Sequence, residues 1–560
     1  MAQEVSKEMQ SEFEGTKAMS DLKTKGWSRS GQVPMNLLDR AVTWFHPQAG
    51  LDRMRKRAAL AAASGYIGAR SDRTSLQRWA ASVGASADTD TLPDLEILRA
   101  RSRDLERNDP MAHSAISTKT ANVIGSGHVV RPEVDFGRLG ISADAAEAWE
   151  RQALEIWNDW AESRDCDVTR AQTFVELEDL VYRSRLLSGD VFVIRRYKER
   201  PGRLLGTCVQ VVEADRLSNP NWIADSDRLA GGIEFDEDGA PAAYQFADRH
   251  AVDRGNIGGV VWRRVPAFDD TGRRMVLHIH GPRKRPDMTR YAPMLAPVIE
   301  ALKQRSRYSE AELMAAVVSA CFAIGMASPD GDLSEGLIQE NKEGATAENQ
   351  IVLTDPGQIF DLLPGEEVKS FAPGRPNPQF APFIDAIARE VGAGTDLPHE
   401  MLVKQFQASY SASRAALEMA WQFFKTDRAL HVSQFCEPVY EDVITEAIAR
   451  GLLKAPGFFT DPLRKQAWLG STWMGPSRPT IDPVKDANAD EKYLAMGVTT
   501  RTRIAAERFG VDYRAVRRRI ERESATTDDL ENSSVSGDVL PRAGAGDRVG
   551  PNGRGRVIKL

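Results

Sequence analysis

Cysteine is scarce in this chain. Cys166, Cys208, Cys321 and Cys436 are the only four in 560 residues, and none forms a C-x-x-C pair. That excludes a disulfide framework and a redox pair, and it predicts free, mostly buried thiols in a reducing compartment. No run of 18 apolar residues occurs, so no membrane span is expected. The first stretch, MAQEVSKEMQSEFEG, is polar and acidic, so no secretory signal is read there. An excess of positive charge is missing too: 73 Lys and Arg face 80 Asp and Glu, for a net charge of −7. Proteins that grip duplex DNA are usually basic. A chain with this balance could handle DNA only by touching it sparingly or letting it slide.

Catalytic motifs are missing as well. No G-x-x-x-x-G-K-[ST] phosphate cradle is present. His399-Glu400 opens like a zinc-protease motif, but position 403 is Val, so the second ligand is absent. His278 and His280 share one face of an apolar stretch with no third ligand nearby, which reads as a strand end rather than a metal site. Gly125-Ser126-Gly127 follows a helical pattern instead of a strand, so it is a helix stop and not a nucleophile elbow. The sequence therefore points to no enzyme, no cofactor and no metal.

What is present reads as a soluble globular chain, 42% hydrophobic and 27% charged, long enough for roughly three or four domains. Residues 1–95 are mixed, with helical stretches at Leu37–Phe45 and Asp52–Ala63, and read as a partly disordered arm. A helix is predicted from Asp94, its cap, to Leu105. Asp109-Pro110 starts a second, since Asp caps and Pro fits the first helical position. Residues 140–190 are helical, with Trp157, Trp160, Phe174, Leu177 and Leu180 on apolar faces. Strands are predicted at Val191–Ile194, Cys208–Val212, Gly232–Phe235, Ala243–Phe246 and Met275–His280, with Asp236–Gly239 as a hairpin turn.

Farther on, residues 293–320 form an amphipathic helix with Val298, Leu302, Leu313, Val317 and Val318 apolar. Short strands are predicted at Gln350–Leu353, Gln358–Leu362 and Glu367–Phe371. A helix from Pro378 carries Phe380, Phe383, Ile384, Ile387 and Val391, and another from Ser413 carries Leu417, Ala420, Trp421 and Phe424. The second must kink or restart at Pro438, which has no N–H to donate. Residues 468–479 read as a Trp/Pro/Gly loop, 482–523 as helical, and 524–560 as disordered.

Two basic clusters stand out. Pro282–Pro286 (PRKRP) reads as a solvated loop or a partner contact. In Thr500–Glu523, the spacing of Ala505, Gly510 and Val516 suits a helix-turn-helix, and Arg514, Arg517, Arg518 and Arg519 would line its second helix. Glu507, Glu521 and Glu523 dilute that charge. A DNA-binding regulator is the alternative reading, and a helix pair packed on a neighbour gives the same pattern.

The stretch Gly392–Ala416 (GAGTDLPHEMLVKQFQASYSASRAA) separates two strong helical patterns by over 20 residues. Connections that long are usually functional or disordered. Tyr410-Ser411-Ala412-Ser413-Arg414 resembles the segment after the tunnel loop in lambda-type bacteriophage portal proteins. Further resemblances are Arg101–Pro110, Asn122–Gly127, Leu186–Val193, Val211–Leu217 and Pro356–Val368. These pieces follow the family's order, and the resemblance as a whole covers about residues 30–525. The approach to Tyr410 departs from it, lacking the Asp-rich, Asn-containing stretch of relatives.

The resemblance implies a multidomain α+β portal fold assembling as a ring: a wing over 96–290, stem helices over 291–321 and 377–391, and a clip β module over 322–376. It further implies a tunnel loop over 392–412, a kinked long helix over 413–467, crown helices over 468–523 and a tail over 524–560. By the same resemblance, twelve copies would form the capsid-vertex channel through which double-stranded DNA enters and leaves. Implied partners are the terminase large subunit, head–tail connector proteins, and major capsid and scaffold proteins, with assembly in the host cytoplasm and no membrane contact. Lys404, Gln405, Gln407 and Ser409 would face DNA, while Tyr410 and Arg414 would brace the loop. Neutral amides and an occasional Lys suit weak, sequence-blind contact.

Overall fold

The computed structural model describes residues 86–250, 259–321, 325–327, 367–369, 377–406, 409–478, 480 and 482–535. The helical stretches expected at 37–45 and 52–63 lie outside them, as do the strands at 350–353 and 358–362. The fold is mixed helix and sheet.

Helix α1 runs from Ala87 to Asn108, beginning earlier than Asp94. Ser86 is its cap, accepting from the Thr89 amide, and Pro93 lies inside, in the second turn. Lacking an N–H, Pro93 gives up the i→i−4 hydrogen bond that its position would make to the Thr89 carbonyl. Helix α2, Pro110–Val123, starts as its sequence dictates: the Asp109 carboxylate accepts from the Met111 and Ala112 amides. Its exit passes through Gly125 and Gly127, both at positive φ. Helices α3 (Ala143–Ala161) and α4 (Phe174–Ser188) follow.

Gly189 turns the chain into β2 (Asp190–Tyr197), the centre of an antiparallel sheet with β3 (Thr207–Val212) on one side and β8 (Val276–His280) on the other. A second sheet is a meander of β4 (Leu229–Ala230), β5 (Ile233–Phe235), β6 (Pro241–Ala247) and β7 (Trp262–Pro266), with the Asp236–Gly239 turn joining β5 to β6. Both faces of β2 are buried. Val191 and Val193 pack with Trp157, Trp160 and Phe174, while Phe192 and Ile194 pack against Tyr244 and Phe246 of the second sheet. A two-sided apolar strand is what the unbroken VFVI run encodes.

A short strand β1 (Val129–Pro132) pairs antiparallel with β11 (Ser471–Met474), Val130 opposite Trp473. Residues 468–479, expected to be a loop, thus complete a sheet begun more than 300 residues earlier. Trp473 packs edge-on to Trp157, with ring centroids 5.7 Å apart.

Helix α5 spans Ile299–Cys321 after a 3-10 turn at Ala296–Val298, and α6 spans Phe380–Thr395. Between them the structure describes one antiparallel pair, β9 (Gly325–Ala327) with β10 (Glu367–Lys369). Helices α7 (His399–Val403) and α8 (Tyr410–His431) follow. A π-turn at Val432–Cys436 leads into α9 (Glu437–Ala449), with Pro438 in its first turn, so the helix restarts where the missing donor is harmless. Helices α10 (Pro462–Trp468) and α11 (Pro483–Ala495) precede a short helix at Arg501–Ile504, a π-turn and α12 (Tyr513–Val535). Residues 524–535, read as tail, are therefore helical. Among the described residues no helix is long and apolar enough to cross a membrane.

Candidate nucleic-acid interface

The segment between α6 and α8 is shorter and more ordered than its sequence suggested. Helix α6 continues through Gly392 and Gly394 to Thr395. A Cβ at Gly394 would stand 2.3 Å from a Val298 methyl, and one at Gly392 would stand 2.6 Å from the Leu397 carbonyl. The glycines are there to let α6 lie against the start of α5 and to let the chain fold back on itself, not to break the helix. Leu397 returns its N–H to the Gly392 carbonyl at 2.9 Å, and Pro398 opens α7.

The base of this connection is moored. Ser114 Oγ of α2 donates to the Leu402 carbonyl at 2.7 Å. His399 Nε2 lies 2.5 Å from Asp385 Oδ1 of α6, and Leu397 and Leu402 are buried with Ile116, Leu302 and Val391. Lys119 of α2 reaches Asp396 at 3.9 Å; burial holds its ammonium below the usual lysine range, against the pull of Asp427 and Asp396. So His399 is a helix-to-helix tie.

The tip is exposed. Lys404 ends α7 in the left-handed region, φ 56°, with its N–H on the Glu400 carbonyl. Gln405 donates its own N–H to the same carbonyl at 3.0 Å, and its side chain is exposed. Phe406 is half exposed. Gln407 lies outside the described residues. Ser409 precedes α8, with its hydroxyl 3.2 Å from that of Ser411.

Past the tip, Arg414 bridges elements. Its guanidinium reaches Glu418 at 3.4 Å, the Tyr410 hydroxyl at 3.5 Å and Asp486 of α11 at 3.3 Å. Lys485 Nζ lies 5.4 Å above the Tyr410 ring. Asp486 also receives Thr480 at 2.5 Å and Arg508 at 3.3 Å, and Arg478 closes the group on Glu418. Lys404, Gln405 and Ser409 thus project from a segment fixed at both ends, on α2 and on α11. Sequence reasoning missed Asp486, Thr480, Arg478 and Arg508, whose only local signal was the N-capping Asp482-Pro483 start of α11.

The arginine-rich end does not present a row of free guanidiniums. Arg514 pairs with Glu150 of α3 at 2.9 Å and Arg517 with Glu521 at 2.9 Å. Arg519 lies 3.8 Å from Glu523, and Arg518 Nε donates to the Arg514 carbonyl at 3.3 Å. The turn before α12 is a π-turn ended by Gly510 at φ 65°, and the Gly510 Cα hydrogens face the Gly475 carbonyl. The helix pair meets its own chain at Arg514 and Gly510, while Phe509 and Ile520 stay exposed. The basic loop 282–286 is tied likewise: Arg285 reaches Asp90 at 2.6 Å and Arg283 reaches the Tyr291 hydroxyl at 3.3 Å.

His278 and His280 are packed rather than poised. His278 Nε2 sits 3.2 Å from Asp190, and His280 stacks on Tyr291 with centroids 3.9 Å apart. Asp190, the first residue of β2, anchors a buried network. Arg99 and Arg290 each reach it at 2.7 Å, and Arg290 also donates to the carbonyls of Ala214, Leu217 and Gly231. Burial pushes the Asp190 carboxyl up, but the two guanidiniums outweigh it and hold the group far below the usual range.

A family model described as "Phage portal protein, lambda family" matches residues 72–428, more than half of the chain and including all of the tip. Portal protein B of Escherichia phage lambda is 25% identical over 470 residues, covering 79% of this chain and 86% of that protein. The portal protein of Escherichia phage N15 is 26% identical over 461 residues, covering 78% and 86%. Among solved structures, a chain of the virion of a native gene transfer agent particle is similar at 14% identity and a TM-score of 0.40, over 74% of this chain and 92% of that one. A chain from the neck of that native particle, computed with C12 symmetry, is similar at 14% identity and a TM-score of 0.39, over 74% and 98%.

Proposed function

This chain belongs to the lambda family of phage portal proteins, and from that premise we propose that it assembles into a closed ring of about twelve copies at one capsid vertex and conducts double-stranded DNA. The observation that carries this reading is the family match across 72–428, which takes in both stem helices and the connection between them. The exposed side chains support it. Leu313, Met314 and Val317 on α5, Phe383 on α6, and Met419 and Phe423 on α8 are each at least 45% exposed in the single chain. Apolar stripes of that extent are covered by something in a soluble protein, and neighbouring copies in a ring cover them all alike.

In this reading α5 and α6 are the stem, 322–376 the clip, and the segment from Asp396 to Ser409 the tunnel loop. Lys404, Gln405, Gln407 and Ser409 meet passing duplex; Tyr410 and Arg414 hold the loop's C-terminal root to α11. One weakly held cation and several amides per subunit give DNA a contact it can leave, and the net acidity of the chain repels phosphate elsewhere. Work is done by a separate ATPase, the terminase large subunit, docking with head–tail connectors at the clip; the portal itself turns over no nucleotide.

Negative-stain microscopy of the purified chain tests the reading: rings with a central hole are expected. Monomers or dimers at micromolar concentration, together with sequence-selective gel shifts that survive about 0.2 M salt, where non-specific contacts fade, would replace it with the regulator.

A further inference from the structure

Four side chains of metal-ligand type converge where the exit of α2, helix α4 and the π-turn after α8 meet. They are His128, Glu178, Cys436 and His431, each buried. One ligand atom from each of the first three lies within 4.8 Å of the other two. Cys436 Sγ is 3.3 Å from Glu178 Oε1, His128 Nδ1 contacts the same oxygen, and His431 Nε2 is 3.8 Å from it.

The cluster is not satisfied within the protein. Both ring nitrogens of His431 and Nε2 of His128 are buried with no hydrogen-bond partner. Burying an unpaired polar atom costs on the order of 1–3 kcal/mol, so orphaned imidazole nitrogens beside a buried carboxylate are an anomaly, and a bound ion would take up one nitrogen of each ring.

The local backbone is shaped for convergence. His431 immediately precedes the π-turn and Cys436 is its last residue. In an unbroken α-helix, residues five apart point about 140° away from each other, at about 100° per residue. The one extra residue of a π-turn brings them within about 40°, onto one face, and such turns favour functional sites. The fourth wall is Gly475, where a Cβ would stand 2.7 Å from the His128 ring.

We propose that His128, Glu178, Cys436 and His431 bind one divalent transition-metal ion, zinc by preference, as a closed structural site. Two imidazoles, a thiolate and a carboxylate suit zinc's tetrahedral, borderline-soft chemistry, with bonds of about 2.0–2.3 Å. The Sγ–H bond is replaced by a metal–sulfur bond, and its proton leaves to solvent. Thiolate and carboxylate then match the two positive charges of the ion, with the Arg428 guanidinium lying beside the site. The ion would tie the α2 exit, α4 and the long helix together, and the inference stands apart from the portal reading.

The test is expression of the full chain in cobalt-supplemented medium, with metal content by mass spectrometry. One ion per chain, and a thiolate-to-cobalt charge-transfer band, are expected. Cys436→Ala and Cys436→Ser should both lose the band and at least tenfold of the metal, whereas His399→Ala should keep both. As a control independent of core substitutions, the wild type is also unfolded and refolded with zinc or with chelator; the zinc sample should melt higher. Folded wild-type protein with no stoichiometric metal and a melting temperature indifferent to chelator overturns the proposal. So does full metal content in either Cys436 variant.

Discussion

Asp190 shows how a buried charge depends on its neighbours. Its carboxylate is held by Arg99, Arg290 and His278 in a fully buried position. Removing one partner of a buried pair leaves an uncompensated charge, a loss of about 3–5 kcal/mol. Arg290→Ala is therefore expected to lower stability by that amount in chemical unfolding, more than an exposed change such as Arg517→Ala, whose pair with Glu521 is worth about 0.3–0.5 kcal/mol. His280 adds a pH dependence. Burial, aided by the neighbouring His278, pushes its imidazole from 6.5 down to about 4. The unfolded chain takes up that proton first, so the stability it contributes is complete above pH 6.5 and drains away towards pH 4. The melting temperature should fall across that window, and His280→Gln should flatten the fall. Lys404 carries the functional expectation. Lys404→Glu reverses one charge per subunit at the tip, worth about 1 kcal/mol per contact in water but repeated around the ring. Rings should still form, and packaged DNA length should drop. Lys404→Gly removes the charge while relieving a left-handed backbone that costs roughly 1–2 kcal/mol, so its packaging loss cannot be blamed on a weakened fold. Full-length packaging by Lys404→Glu would mean the tip does not meet DNA.

Helices were more legible than the spaces between them. Asp109-Pro110 and the 3.6-residue apolar spacing located α2, α6 and α8, because capping and amphipathicity are local. The extent of the central connection was not legible. Gly392 and Gly394 look like breakers until Val298 and the Leu397 carbonyl are seen pressing on them. Strands β1 and β11 were missed for a related reason: four residues each, they exist only by pairing with one another. Of the candidate site, the exposed Lys404, Gln405 and Ser409 could be named from sequence, but the Arg414–Asp486 bridge between α8 and α11 could not, since 72 residues separate its partners. The apolar stripe along α5 divides at the middle of the helix: Val298 just before it and Leu302 in its first turn are buried, whereas Leu313 and Val317 are exposed. Leu313→Asp with Val317→Asp should leave the melting of the dissociated chain within about 0.5 kcal/mol, as surface changes do. Sedimentation should show the ring lost. A ring undisturbed by both charges would assign that stripe to another partner.

At the scale of the whole molecule, distant parts of the chain share one core. Trp157 and Phe174 from the first half pack with Phe435, Tyr440 and Trp473 from the second. A chain ended after Gly470 would lose β11 and uncover Trp157 and Tyr440. It should aggregate or melt well below the full chain, although it retains every residue of the proposed tunnel loop. Soluble, ring-forming protein from that truncation would show β11 to be dispensable. The pairing of Val130 with Trp473 also has a consequence in time. Translation adds roughly 5–20 residues per second, so β1 leaves the ribosome tens of seconds before its partner strand exists. Throughout that interval the two-stranded sheet cannot form, and the aromatic cluster waits for its last ring. A nascent subunit is thus barred from finishing early. In the ring proposed above, neighbouring chains on one messenger would then lock together only once each is nearly complete, and the order of synthesis would act as a checkpoint for assembly.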